Sequence, residues 1–139
     1  MGARFLKGIV VCLMVAGMAG CMGPKPVDNM AEMQVEFDFV GGGCQLSSPN
    51  PELHVVNVPE GTSFLKVRMT DLDMTSYNHG GGTVPYSGKG FVEAGALKAY
   101  QGPCPPSGTS HKYVFDVQAL NADQTLMLGR GKAAKKFSQ

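Results

Sequence analysis

Apolar and polar residues alternate along several short stretches of this chain, and the alternation has a period of two. From Met33 to Phe39 the apolar positions are Met33, Val35, Phe37 and Phe39, with Gln34, Glu36 and Asp38 between them. That pattern predicts a strand with one wet face. Leu53–Val58 predicts a short strand closed by the turn Pro59-Glu60-Gly61-Thr62. Phe64–Thr70 alternates again, with Leu65, Val67 and Met69 turned in and Lys66, Arg68 and Thr70 turned out. It runs directly into Asp71-Leu72-Asp73, where two carboxylates share a side if the chain stays extended, or cap local amides if it turns. The clearest alternation is His111–Ala119, with His111, Tyr113, Phe115, Val117 and Ala119 on one face. A stiff turn from Gly102 to Gly108, built on three prolines, feeds it.

Between these strands the signal is weaker. Gly41-Gly42-Gly43 and Ser47–Pro51 read as loops, and Met74–Gly90 as mostly loop around Gly80-Gly81-Gly82. Phe91-Val92 and Ala96-Leu97 are short apolar pieces, and Thr125–Leu128 predicts one more strand. The tail Gly129–Gln139 holds Arg130, Lys132, Lys135 and Lys136 without an acid. It reads as a solvated end or short terminal helix, or as a contact for an anionic leaflet. With 19 glycines, 9 prolines and little helical periodicity, the expected class is all-β in a single domain, with short helical pieces allowed.

The first residues carry a different message. Arg4 and Lys7 precede an apolar run, Gly8–Met18, that is too short for an ordinary membrane span. It ends in Met18-Ala19-Gly20-Cys21, which resembles a bacterial lipobox with Met in place of the usual leucine. The expected organisation is a lipoprotein signal peptide over 1–20, a tether over 21–32 and a β domain with a basic tail over 33–139. Cys21 would carry the lipid, and the protein would face the periplasm from a membrane of the bacterial cell envelope. A plain signal peptide or a short uncleaved anchor is the alternative.

Removing 1–20 takes Arg4 and Lys7 from the 12 Lys and Arg, leaving ten against 11 Asp and Glu, so the charge is close to zero. Neither that balance nor any aromatic-basic run points to nucleic acid. Cys44 and Cys104 remain as a disulfide candidate in an exported domain, with two buried thiols as the alternative. The methionines are scattered, so no metal site is expected. The glycine run lacks the Lys-Ser/Thr ending of a phosphate loop.

Three segments then resemble one family. Val58-Pro59-Glu60-Gly61-Thr62 is similar to its VPEGT segment, and Asp71-Leu72-Asp73 to its D-P-D-A-P motif. Gly102-Pro103-Cys104-Pro105-Pro106, then Gly108 and His111-Lys112-Tyr113, resembles its bacterial G-P-C-P-P…G…H-R-Y motif. The family is that of the phosphatidylethanolamine-binding proteins. The resemblance implies a Greek-key β-sandwich with a small anion pocket at one end. It maps Asp71, Asp73, His79, Gly102, Pro106, His111 and Tyr113 to that pocket, with His79 placed without its usual neighbours. The implied ligand is phosphate-like or a phospholipid headgroup, and no cofactor is implied.

The chemistry of these residue types suits such a ligand. Histidine changes charge nearest to neutral pH and can become a charged donor to phosphate. Catalysis would need a nucleophile beside a base, and Asp71 with His79 and Ser107 or Ser110 offers no nucleophile-elbow motif. The reading is a non-catalytic, membrane-tethered binding protein. The alternative is an interaction or inhibitor module whose protein partner the sequence does not name.

Overall fold

Each stretch of period-two alternation becomes a strand in the computed structural model, which describes residues 22–139. The expected signal peptide and Cys21 lie outside the described residues. In chain order the strands are β1 (Lys25–Glu32), β2 (Gln34–Phe37), β3 (Leu53–Val56), β4 (Phe64–Asp71), β5 (Gly81–Pro85), β6 (Phe91–Val92), β7 (Ser110–Leu120) and β8 (Leu126–Ser138). No helix occurs among the described residues.

The strands form two sheets. One is five-stranded, in the order β1-β8-β7-β4-β5, and the other three-stranded, β2-β3-β6. All pairings are antiparallel except β1 with β8, which is parallel. The larger sheet turns Leu65, Val67 and Met69 of β4 and Tyr113, Phe115, Val117 and Ala119 of β7 inward. Val35 and Phe37 of β2, Leu53 and Val55 of β3 and Val92 of β6 face them from the smaller sheet. Phe37 meets Phe115 edge-on across the gap, ring centroids 4.8 Å apart. Each large apolar side chain buried there contributes about 1.5–3 kcal/mol, so this inter-sheet layer holds the sandwich closed.

Three expectations change. The tether over 21–32 is shorter than expected, because Lys25–Glu32 is an edge strand beside β8. Its residues are mostly exposed, so it carries no alternation. The basic tail is not a frayed end: it pairs with β7 from Ser110↔Ser138 to Ala119↔Gly129. Its inner positions are Gly129, Gly131, Ala133, Lys135 and Phe137, of which only Phe137 is large and apolar, so no apolar face shows in the sequence. The third change is that the glycine run opens β5. Gly81 has φ +145°, and a Cβ there would lie 2.0 Å from the Val67 carbonyl oxygen. Only glycine lets this strand come so close to β4.

Candidate functional site

Strand parity places the polar residues. Asp71 continues the inward series of Met69, and His111 and Tyr113 continue that of Phe115. Asp71 pairs in register with Tyr113. At this end of the sandwich the apolar core therefore gives way to a carboxylate, a phenol and an imidazole.

Asp71 is only 3% exposed and fully engaged. Its Oδ1 accepts the amides of Asp73 at 2.8 Å and Met74 at 3.0 Å. Its Oδ2 lies 2.6 Å from His111 Nδ1. Burial pushes the Asp71 carboxyl up, but the hydrogen bonds from His111 and the two amides outweigh it and hold the carboxyl below its ordinary 3.8. A carboxylate only accepts, so His111 Nδ1 carries the hydrogen and its Nε2 is left for the cavity.

His79 arrives from the loop between β4 and β5 and is 3% exposed. Its Nδ1 donates to the Gln101 carbonyl oxygen at 2.9 Å, since a carbonyl only accepts. The Gln101 amide returns a bond to the His79 carbonyl at 2.9 Å. Tyr77 donates its hydroxyl to Gln101 Oε1 at 2.6 Å and lays its ring 4.6 Å from that of His79. His79 therefore has a fixed tautomer as well, again with Nε2 as the free nitrogen.

Tyr113 lies beneath both imidazoles, 5.3 Å edge-on from His79 and 6.3 Å from His111. It is fully buried, and its hydroxyl has no hydrogen-bond partner among the described residues. Burial, and then the charge of Asp71, push its phenol up. The group stays neutral and serves as the floor.

The wall opposite is the proline turn. Cys104 is bonded to Cys44, and the Gln45 amide donates to the Pro103 carbonyl at 2.9 Å. A Cβ on Gly102 would lie 2.3 Å from the Gln45 carbonyl oxygen, so glycine is needed for the two segments to touch. Thr109 ties the far side of the turn to the Pro106 carbonyl through its amide and its hydroxyl.

These elements enclose a cavity of about 350 Å³. Of the residues read from the sequence, Asp71, His79, Pro106 and His111 line it. Tyr113 supports it from below, and Gly102 supports the wall. Asp73 turns away, its Oδ2 accepting the amide of Lys112 on β7 at 2.7 Å, whereas the local capping weighed for the pair falls to Asp71 alone. The sequence reading missed Leu46, Met74, Tyr77 and Gln139 in the lining. Tyr77 had one local signal, its place two residues before His79. The others come from loops and from the unexpected β8, where no pattern marks them.

A second, larger hollow of about 670 Å³ lies on the three-stranded sheet, lined in part by Glu36, Asp38, Glu52 and His54. Its carboxylates make it a poor seat for an anion, and none of the converging groups reaches it. Among the described residues, no trio of His, Cys, Asp or Glu side chains is placed to hold a metal ion.

Residues 80–139 match the family model for phosphatidylethanolamine-binding protein. No curated protein matches the chain. Among solved structures, a phosphatidylethanolamine-binding protein homologue from Chlamydia trachomatis, CT736, shares 19% identity at a TM-score of 0.53. The match covers 78% of this chain and 98% of that one. Escherichia coli YbcL, described as a new member of the mammalian family, shares 20% identity at a TM-score of 0.54, over 78% of this chain and 99% of its own. At such identities the likeness is one of fold. The family match falls on the segment holding β5 to β8 and the proline turn, and the two solved structures share the fold of the whole sandwich: residues 80–139 are similar to the phosphatidylethanolamine-binding protein family, and the chain has the fold of its members.

Proposed function

We propose that this chain is a non-catalytic binding protein, tethered to a bacterial membrane through Cys21, whose cavity takes a small phosphate-bearing ligand such as a phospholipid headgroup. One observation carries the reading: His79 and His111 line the same cavity, each with Nδ1 already committed to an acceptor. Each therefore offers Nε2 to a ligand. When protonated, that nitrogen is a charge-assisted donor to a phosphate oxygen. Asp71 offsets the charge on His111, so the second imidazole tips the balance toward an anion. The volume is near the small end of ligand sites, which suits a headgroup-sized molecule rather than a whole lipid. Met74, Tyr77 and Leu46 supply an apolar rim against which the rest of a ligand can pack.

The experiment is a titration with inorganic phosphate and then phosphoethanolamine, followed by the imidazole signals in NMR. His79 and His111 should shift together, while His54, which lies on the other sheet, should not. His111→Ala should weaken phosphate about 10- to 100-fold, the usual worth of a hydrogen bond to a charged group. If neither compound moves either imidazole, the reading fails. Phosphoester turnover that disappears in His79→Ala would replace binding with catalysis.

A further inference from the structure

The outer face of the five-stranded sheet is strongly basic, and the sequence order hides it. Facing outward are Lys66 and Arg68 from β4, Lys112 from β7, and Arg130, Lys132 and Lys136 from β8. The register sets them in rows across the sheet, Lys66–Gln118–Arg130, Arg68–Asp116–Lys132 and Lys112–Lys136. A single acid, Asp116, lies within the face. It is held by Arg130 through two hydrogen bonds and has Lys132 at 3.5 Å. Glu32 and Asp73 stand only at its edges. Among the described residues, Lys66, Arg68, Lys112 and Lys136 have no carboxylate within ion-pair distance. Lys135 is excluded by parity: it points to the other side and pairs with Asp38 over Phe37.

The opposite side of the sandwich carries Glu36, Asp38 and Glu52 around one hollow, with Lys135 paired to Asp38 and Lys89 over Phe91. The concentration of unpaired cations is therefore on the five-stranded sheet, while the acids of the other side are mixed with lysines. β1 begins at Lys25, on the edge of the basic sheet beside β8. From Cys21 to Lys25 the chain can span about 14 Å at most. An anchor at Cys21 would hold that sheet edge close to the bilayer, within reach of a screened field whose Debye length is about 10 Å at 0.1 M salt.

We infer that the outer face of the β1-β8-β7-β4-β5 sheet docks on an anionic phospholipid bilayer, laying the sandwich flat with the three-stranded sheet away from the membrane. The tether geometry rests on the Cys21 reading above; the charge pattern stands without it. Cations in rows on a sheet suit an extended anionic surface. Among the described residues the face offers no aromatic side chain to stack bases, and the hollow at its β1–β8 edge is lined by Met30, Glu32, Arg130 and Lys132, which disfavours single-stranded nucleic acid.

The test uses the full chain with vesicles of phosphatidylcholine alone and of phosphatidylcholine with 30% phosphatidylglycerol (about that fraction suffices for an anionic surface). Flotation with the neutral vesicles reads the anchor. Lysine acetylation followed by mass spectrometry reads the face. Each basic residue near an anionic leaflet is worth about a fivefold gain in partition. Lys66, Lys112, Lys132 and Lys136 should therefore be labelled at least about fivefold more slowly on the anionic vesicles than on the neutral ones. Lys89 and Lys98, outside the face, should be labelled equally on both. High salt should remove the protection. Lys66→Glu with Lys132→Glu and Lys136→Glu should abolish it, while Lys89→Glu with Lys98→Glu leaves it intact. A chain that floats on neutral vesicles with its face lysines open on both compositions overturns the docking and leaves the anchor standing. A chain that binds only anionic vesicles, with the face protected, upholds the docking and overturns the anchor. Face lysines open on anionic vesicles but protected by heparin would assign the surface to a soluble polyanion instead, and overturn the lipid assignment.

Discussion

Asp71 does more for this site than either histidine. It is buried because strand parity leaves it no other choice, and a buried carboxylate is tolerable only when its lone pairs are satisfied. The amides of Asp73 and Met74 and the ring of His111 satisfy them. The same bonds end β4, turn the chain and fix which nitrogen of His111 faces the cavity. The sign of the pH effect follows. The folded carboxyl lies below its ordinary 3.8, so in acid the unfolded chain takes up this proton first. The stability Asp71 contributes is complete above about pH 4 and is lost as pH falls through the lower folded value. Asp71→Asn should therefore unfold less steeply with acid in that range, and should lose on the order of 1–3 kcal/mol at neutral pH. Denaturant titrations of both proteins from pH 2 to 7 measure both effects. Parallel acid limbs in the two proteins would mean that Asp71 is not held as described.

At the scale of elements, the strands with the strongest alternation also carry the site. β4 and β7 were legible because Leu65-Val67-Met69 and Tyr113-Phe115-Val117 each fill one face of the core. Extending their parity by one position gives Asp71 and His111, so the heart of the cavity could be read from the chain. β1, β5 and β8 were not legible, for separate reasons. β1 buries almost nothing. β5 opens on glycines chosen for close approach, which look like loop residues. β8 presents glycine, alanine and a single late Phe137 inward and mostly basic residues outward, which looks like a solvated tail. His79 came from the family resemblance, because a histidine in a loop carries no period. The tightness at β5 is measurable. A methyl group on Gly81 has no room beside the Val67 carbonyl, and one on Gly82 meets nothing nearer than Leu97 at 3.6 Å. Gly81→Ala should cost on the order of 3 kcal/mol or more, combining a steric clash with a disfavoured φ. Gly82→Ala should stay within about 1 kcal/mol. Urea midpoints for the pair decide it, and equal midpoints would show that β5 does not press on β4.

For the whole molecule, the question is what joins a cavity wall made of loops to a sandwich made of strands. Gly102–Gly108 belongs to neither sheet; Pro103 and Pro105 are buried against the fold, and its covalent and hydrogen-bonded attachments are few. They are the bond from Cys104 to Cys44, the amide of Gln45 on Pro103, and the contacts of Pro106 and Gly108 with Thr109 and Gln139. Only the disulfide is covalent, and it joins positions 60 residues apart in the chain. Closing a loop of that length restricts the unfolded chain by about 4 kcal/mol in the entropic model. The inter-sheet core does not pass through it, because Phe37, Phe115, Leu53 and Val67 pack without help from either cysteine. Reduction should therefore lower the melting temperature by roughly 10–15 °C for a domain of this size while the β signal in circular dichroism persists at room temperature. The cavity should respond more sharply. With the proline turn released on one side, phosphate affinity should fall, and the His79 and His111 signals should broaden before any change reaches Val117 or Leu65 in the core. Cys44→Ala with Cys104→Ala should behave as the reduced protein does. If the reduced protein melts unchanged and binds phosphate as before, the hydrogen bonds at Gln45 and Thr109 position the wall without the covalent link.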